Sequence, residues 1–309
     1  MSTYSFEMYP PRSAAAELSL YETIDRLVET EPEFISVTYG ASGSTREASL
    51  GVLRHLLTTP VQSMAHLTCV GWSYEDATNV IREFLNVGVV SFLAVRGDPP
   101  EGTAEGSDFL GDLKSAGELV QLIHRVQRER EPYAQLEVRG FPGAKRISRG
   151  EKVTIAVAAF PNGHPRSRSV QQDLDTLLAK EAAGANLALT QLFFHADEYL
   201  QFIELARAAG VTMRIVPGIM PIVSPARLTR MVQLTEEKMP ENLYAQLVAA
   251  ETPERQYAVG IAHTVELAND LLAGGATGLH LFTQNKHQAA IDVLDAVGIR
   301  TNTPTKEHA

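Results

Sequence analysis

Apolar, β-branched runs alternate with longer amphipathic stretches along the whole 309-residue chain. Eight short runs read as strands: YSFEMY (4–9), FISVTYG (34–40), MAHLTCVG (64–71), SFLAVRG (91–97), TIAVAAFP (154–161), LALTQLFF (187–194), MRIVPGIMP (213–221) and GLHLFTQN (278–285). SFLAV and TIAVAAF are apolar without interruption, which suits parallel strands covered on both faces rather than the in–out alternation of a half-exposed sheet. Helical periodicity runs between them, over Ala15–Glu29, Glu47–Leu57, Tyr74–Val87, Ala116–Arg130, Val170–Ala183, Asp197–Ala209, Pro225–Glu237, Pro253–Ala273 and His287–Val297. Ser73, followed by Glu75 and Asp76, supplies an N-cap and negative charge for a first helical turn, and Gly184, Gly210 and Gly298 follow helical runs as stops. This repeated strand, helix and turn predicts an α/β fold, a (βα)8 TIM barrel, which accommodates about 250 residues as one domain.

Two spacings exceed the repeating unit. PYAQLEVRGFPGAKRISRGEK, in the 131–152 insertion between the fourth and fifth strands, reads as a short hairpin. MPENLYAQLVAAETPE, between the seventh and eighth strands, adds helical turns. Both are expected as insertions within a single domain over 1–309 rather than as domain boundaries.

Composition narrows the function. With 44% hydrophobic and 21% charged residues the chain can bury a large core, which excludes a disordered protein. A net charge of −10 argues against binding a nucleic-acid backbone, and the locally basic run 139–152 reads as a solvated loop. The lone Cys69 can form neither an intramolecular disulfide nor a multi-cysteine metal centre. No run approaches the roughly 18 apolar residues of a membrane span, and MSTYSFEMYPPRS has neither the basic start nor the apolar run of a signal peptide. A cytoplasmic location is the expectation.

In a barrel of this kind chemistry sits at the C-terminal ends of the strands. The polar residues there are Glu7, Thr38, His66 with Thr68, Arg96 with Asp98, His164, Gln191, and Thr283 with Asn285. Glu7, on an otherwise apolar first strand, has two readings: a rim ion pair or a functional acid. GxGxxG, P-loop, GxSxG and HExxH patterns are all missing, so a Rossmann dehydrogenase is disfavoured. The scattered histidines lack ligand spacing, so His66 and His164 are read as hydrogen-bonding rim residues and no metal is expected.

The strand tips together resemble one family. FEMYPPRS, ISVTYGASGSTRE, HLTCVG, VRGDPP, AAFPNGHPRS, AGANLALTQLFF, VPGIMPI and GLHLFTQN, in this order, are similar to the catalytic barrel of bacterial-type methylenetetrahydrofolate reductases, from Phe6 to about Ile299. On this resemblance, the regulatory domain that follows the barrel in animal and yeast relatives is not expected within these residues. The resemblance implies reduction of 5,10-methylenetetrahydrofolate to 5-methyltetrahydrofolate by NADH or NADPH, usually through bound FAD. It implies that Glu7 is the general acid, with a pKa raised by its apolar strand, that Asp98 anchors the pterin and favours the cationic iminium, and that Gln191 is a second pterin contact. It places Thr38, His66, Arg96, Gly97, Asp98, Phe160, His164, Asp173 and Lys180 around the flavin.

The chain departs from the family pattern mainly around the cofactor. SAGELV stands where relatives commonly read YAxDLV, giving Ser115 and Glu118 in place of an aromatic residue and an aspartate. Phe160 lacks the usual tyrosine hydroxyl, Thr176 and Ala179 stand at variable positions where some bacterial relatives have asparagine and arginine, Pro225 stands about where some relatives have phenylalanine, and Phe282 replaces tyrosine. Two routes therefore stay open: a conventional FAD enzyme, which is the favoured reading, and, as the alternative, direct hydride transfer from the nicotinamide without flavin. No basic cluster for a ribose phosphate stands out, which favours NADH, and a homo-oligomer is left open. Outside the family, a phosphate-binding barrel aldolase would want a lysine on a strand, and no candidate strand has one. A non-catalytic folate-binding protein would not need Glu7 as an acid.

Overall fold

In the computed structural model, residues 2–11, 13–38, 46–99, 102–103, 108–130, 134–137, 145–148 and 153–299 are described. Strands and helices alternate as β1 (Thr3–Met8), α1 (Ala14–Val28), β2 (Phe34–Val37), α2 (Arg46–Leu56), β3 (Gln62–Leu67), α3 (Tyr74–Val87), β4 (Ser91–Ala94) and α4 (Ala116–Arg130). The hairpin β5 (Ala134–Glu137) and β6 (Lys145–Ser148) follows, then β7 (Thr154–Ala159), α5 (Val170–Ala182), β8 (Leu187–Thr190), α6 (Ala196–Ala209), β9 (Arg214–Val216) and β10 (Gly218–Ile219). The chain continues through α7 (Pro225–Thr235), α8 (Glu241–Ala249), α9 (Pro253–Ala273), β11 (Gly278–Phe282) and α10 (Gln288–Val297). The sheet runs in the order β10-β11-β1-β2-β3-β4-β7-β8-β9, and every pairing within it is parallel. The expected (βα)8 barrel is therefore present. Among the described helices none is long and apolar enough to cross a membrane.

Both insertions take the expected form. β5 and β6 pair antiparallel, from Ala134 opposite Ser148 to Glu137 opposite Lys145. Their connecting residues, and the rest of the basic run 139–152, lie outside the described residues. The second insertion forms α8, which packs on α7 and α9.

The seventh strand differs from its expected form. MRIVPGIMP was read as one run, but Pro217 divides it into β9 and β10. Proline has no N–H for the ladder, so regular pairing with β8 ends at Leu189 opposite Val216. Gly218 N–H then donates to the Thr190 hydroxyl at 2.8 Å, and the Pro217 carbonyl accepts from His280 N at 2.9 Å. The chain thus leaves β8 and joins β11, and this transfer closes the cylinder.

Strand alternation sorts the core. Phe6, Ile35, Leu67, Phe92, Val157, Ile215 and Leu281 face outward and pack with helix residues such as Ile24, Leu53, Phe84, Ile123 and Val293. Phe34, Met64, Leu93, Ala156, Leu187, Leu189 and Val216 form a second buried cluster that fills the barrel interior. Above this apolar floor the inward positions turn polar at Glu7, His66 and His280, all buried. The sequence-read strands overrun the ladders at the mouth: Tyr9, Thr38, Arg96, Phe160 and Gln191 lie just past the last paired residues.

Closure at Gly218 can be tested directly. A Cβ there would lie 2.3 Å from the Thr190 carbonyl oxygen and 2.8 Å from the Phe282 ring. Gly218→Ala should cost about 1–3 kcal/mol, read as a lower urea midpoint with unchanged slope. An unchanged midpoint would contradict this account of closure.

Candidate active site

β1 carries Glu7 into the barrel because its period-two alternation puts Ser5 and Glu7 on one side and Phe6 and Met8 on the other. Glu7 Oε2 lies 3.8 Å from His66 Nε2 of β3 and 3.6 Å from His280 Nε2 of β11. Both imidazole nitrogens are buried without a hydrogen bond. At the far side of its ring, His280 Nδ1 pairs with Ser5 Oγ at 2.8 Å, and Phe34 stacks on it with centroids 5.8 Å apart. Tyr9, one strand repeat above, lines the same cavity as Glu7, and its phenol and the Glu7 carboxyl act on each other electrostatically.

The electrostatics correct one expectation. Burial pushes the Glu7 carboxyl up, but His66, His280 and the Tyr9 hydroxyl outweigh it and hold the pKa below the usual carboxylate value. The raised pKa expected from an apolar strand is not found, because the carboxyl faces the polar ring rather than the strand's apolar side. The magnitudes are comparable: a full opposite charge at this range is worth about 4 kcal/mol at an effective dielectric near 20, against several kcal/mol for burying a carboxylate. Burial also holds His66 below the ordinary histidine range, against the pull of Glu7.

These groups line a cavity of about 310 Å³ at the barrel mouth, with Tyr9, Thr38, Phe160, Gln191, Met220, Met231, Leu234 and Phe282 as further walls. Its apolar lining and few convergent polar groups are those of a small-molecule site. The Thr38 hydroxyl is buried there without a partner. Gln191 Oε1 accepts the Leu192 N–H at 2.7 Å, which directs the amide. A larger cleft of about 640 Å³ between α6, α8 and α9 contains none of the residues nominated from sequence.

The nominated residues fall into two groups. Glu7, Thr38, His66, Phe160 and Gln191 meet at the cavity. Arg96, Gly97, Asp98, His164, Asp173 and Lys180 do not line it. Arg96 and Asp98 are exposed, and the Arg96 and Arg166 guanidiniums lie 5.2 and 5.8 Å from the centroid of the Phe109 ring. Asp173 accepts from the Ser167 hydroxyl and from His164 N. Lys180 is turned inward, donating to the Ala158 carbonyl at 2.8 Å, and burial lowers its pKa to about 8.

The same region bears on the implied flavin. Ser115 Oγ accepts Glu118 N–H at 3.2 Å while Glu118 Oε2 accepts Lys114 N–H at 2.7 Å, so both departures cap α4. The Thr176 hydroxyl bonds back to the Gln172 carbonyl at 2.7 Å within α5. Pro225 is the first residue of α7, after the N-cap Ser224. A planar ring finds a matching wall at Thr38, His66 and Phe160, but of the partners nominated for a sugar-diphosphate chain Lys180, Asp173 and the Thr176 hydroxyl are engaged within the protein, and Arg96 alone is an exposed cation. As oriented, Lys180, Asp173 and Thr176 do not fit the anionic half of FAD.

Sequence reasoning missed His280, Tyr9 and the methionines Met220 and Met231. The available signal was the strand period: Tyr9 lies two residues after Glu7, and His280 is the lone polar residue within GLHLF.

Comparison with known proteins agrees with the geometry. The family model for methylenetetrahydrofolate reductase matches residues 1–298. A methylenetetrahydrofolate reductase (NADH) of Arabidopsis thaliana is 33% identical over 96% of this chain and 48% of its own length. The 5,10-methylenetetrahydrofolate reductase of Salmonella typhimurium is 29% identical over 96% of this chain and 90% of its own. The chain thus spans about half the length of the plant relatives and most of the bacterial one. Among solved structures, a Clostridium thermocellum protein described as binding two copies of 5-methyl-5,6,7,8-tetrahydrofolic acid shares the fold, with TM-score 0.62 and 12% identity over 97% of this chain and 95% of its own. With its family model matched almost from end to end, this barrel belongs to the methylenetetrahydrofolate reductase family.

Proposed function

We propose that this protein reduces 5,10-methylenetetrahydrofolate to 5-methyltetrahydrofolate with NADH. The observation that carries the reading is a carboxyl, Glu7, buried at a barrel-mouth cavity between two imidazoles. The substrate's five-membered ring must open to an iminium before it can accept hydride, and opening requires a proton on the departing nitrogen. Glu7 is the group placed to supply it.

The depressed pKa of Glu7 in the free pocket sets how that acid is loaded. Glu7 and His66 act on each other across the pocket, so a proton taken up by the pair can sit on either residue. When a folate ring fills the mouth and excludes water, a dry pocket disfavours the separated charges and favours a neutral carboxylic acid beside a neutral imidazole. Substrate binding therefore places the proton on Glu7 when it is needed. Gln191 orients the pterin through its amide N–H₂, its oxygen being held by Leu192 N–H. Asp98 stands on the rim, where its negative charge favours the cationic iminium.

Direct transfer from the nicotinamide to the iminium carbon is favoured over a flavin relay because Lys180, Asp173, Ser115 and Thr176 are spent on contacts inside the protein. The relay is the second reading, supported by the unpartnered Thr38 hydroxyl on the cavity wall. NADH is taken as donor from the absence of a sequence cluster suited to a ribose phosphate and from the names of the plant relatives.

Three measurements test this. Purified protein should be colourless and still oxidise NADH in the presence of 5,10-methylenetetrahydrofolate; a yellow preparation releasing FAD on denaturation would establish the relay instead. Glu7→Gln should lower turnover by about 10²–10⁴-fold with folate binding retained, and unchanged turnover would remove the general acid. Lys180→Met should lower the melting temperature but leave the KM for NADH within about twofold, in keeping with an internal amine.

A further inference from the structure

β1 and its exit send Ser5, Glu7 and Tyr9 toward the same polar interior, and Tyr9 contributes a hydroxyl that the proton transfer described above does not use. Tyr9 lines the cavity together with Glu7, whose carboxylate acts on its phenol. Its backbone is held unusually firmly. Tyr9 N–H donates to Asn285 Oδ1 at 2.8 Å, and Asn285 Nδ2–H donates back to the Tyr9 carbonyl at 2.8 Å. One side chain thus mimics a strand partner just where the β1 ladder has ended.

The clamp is built from a constrained turn. Gln284 and Asn285 have φ of 51° and 58°, two successive non-glycine residues in the left-handed region. The Thr283 hydroxyl donates to the Glu7 carbonyl at 2.7 Å and accepts Asn285 N–H at 3.2 Å. Gln284 Nε2 lies 3.3 Å from Met220 Sδ and 3.2 Å from Met231 Sδ. The tip of the eighth barrel strand therefore grips the backbone of both Glu7 and Tyr9.

We propose that Tyr9 is a positioning residue for the reaction: its hydroxyl, aimed by the Asn285 clamp, donates to the Glu7 carboxyl, restricts its rotation and sets the pH at which Glu7 can hold the transferable proton. The proposal rests on Glu7 being the general acid. Burial and the neighbouring carboxylate push the Tyr9 phenol well above its ordinary pKa, so it remains a donor across the neutral range. A phenylalanine would fill the same space without donating.

The test is the pH dependence of kcat for the native protein, Tyr9→Phe and Asn285→Ala, with Glu7→Gln alongside. A lost donor destabilises the carboxylate relative to the acid, so Glu7 keeps its proton to higher pH. In Tyr9→Phe the alkaline fall in kcat should move up by about one pH unit, with the KM for folate within about twofold. Asn285→Ala, which keeps the phenol but frees it, should move the same limb upward by less. An unmoved limb in Tyr9→Phe, with the change confined to melting temperature, would show a structural role and overturn the proposal; if Tyr9→Phe does not fold, the limb in Asn285→Ala decides by the same criterion. Glu7→Gln separates the two claims: turnover retained in that variant removes the reading of Glu7 itself, whereas an inactive Glu7→Gln beside an unmoved Tyr9→Phe limb removes only Tyr9.

Discussion

A carboxylate cannot be left bare in the interior of a barrel, and the mouth of this one is arranged around that constraint. Glu7 comes from β1, its imidazole neighbours from β3 and β11, and its hydroxyl partner from the turn after β1. Three sheet neighbourhoods must be in register for the cluster to exist. The register between β1 and β11, with Ser5 opposite His280 and Glu7 opposite Phe282, sets the height of His280 against Glu7. Closure through Pro217 and Gly218 in turn holds β11 in place, since the Pro217 carbonyl receives the His280 amide.

The same constraint joins stability to function. An isolated pair of imidazoles and a carboxylate in a dry cavity is expensive, and contacts at 3.6 and 3.8 Å are too long to be ordinary hydrogen bonds. The free pocket therefore holds groups whose polar capacity is only partly met, as it does at the Thr38 hydroxyl. Buried polar groups of that kind are the usual cost of a site prepared for a ligand. A flat, hydrogen-bonding ring would meet those needs while excluding water, and in the proposed mechanism that exclusion moves a proton onto the carboxyl.

The barrel was legible in the sequence because buried parallel strands announce themselves by unbroken apolarity, as SFLAV and TIAVAAF do, and because helix ends carry capping serines and terminal glycines. Pro217 was visible too, yet its role as the joint between β8 and β11 depends on tertiary pairing that no local pattern specifies. Glu7 stood out as a charge on an apolar strand. His280 was concealed within GLHLF, and Tyr9 reads as an ordinary strand aromatic until Asn285, 276 positions away, is found on its backbone. The sign of the Glu7 shift was out of reach for the same reason, since it is set by residues of other strands. Around Asp173 and Lys180 residue identity suggested an anionic cofactor, but where those side chains point depends on packing: Asp173 is bonded to His164 N and the Ser167 hydroxyl, and Lys180 points inward.

The central claim is that closing the pocket over a folate places the proton on Glu7. Difference infrared spectroscopy of the protein with and without saturating 5-methyltetrahydrofolate reads the protonated carboxyl directly. The account predicts a new carboxylic-acid carbonyl band on ligand addition that is missing in Glu7→Gln; ligand binding without such a band in the native protein would contradict it.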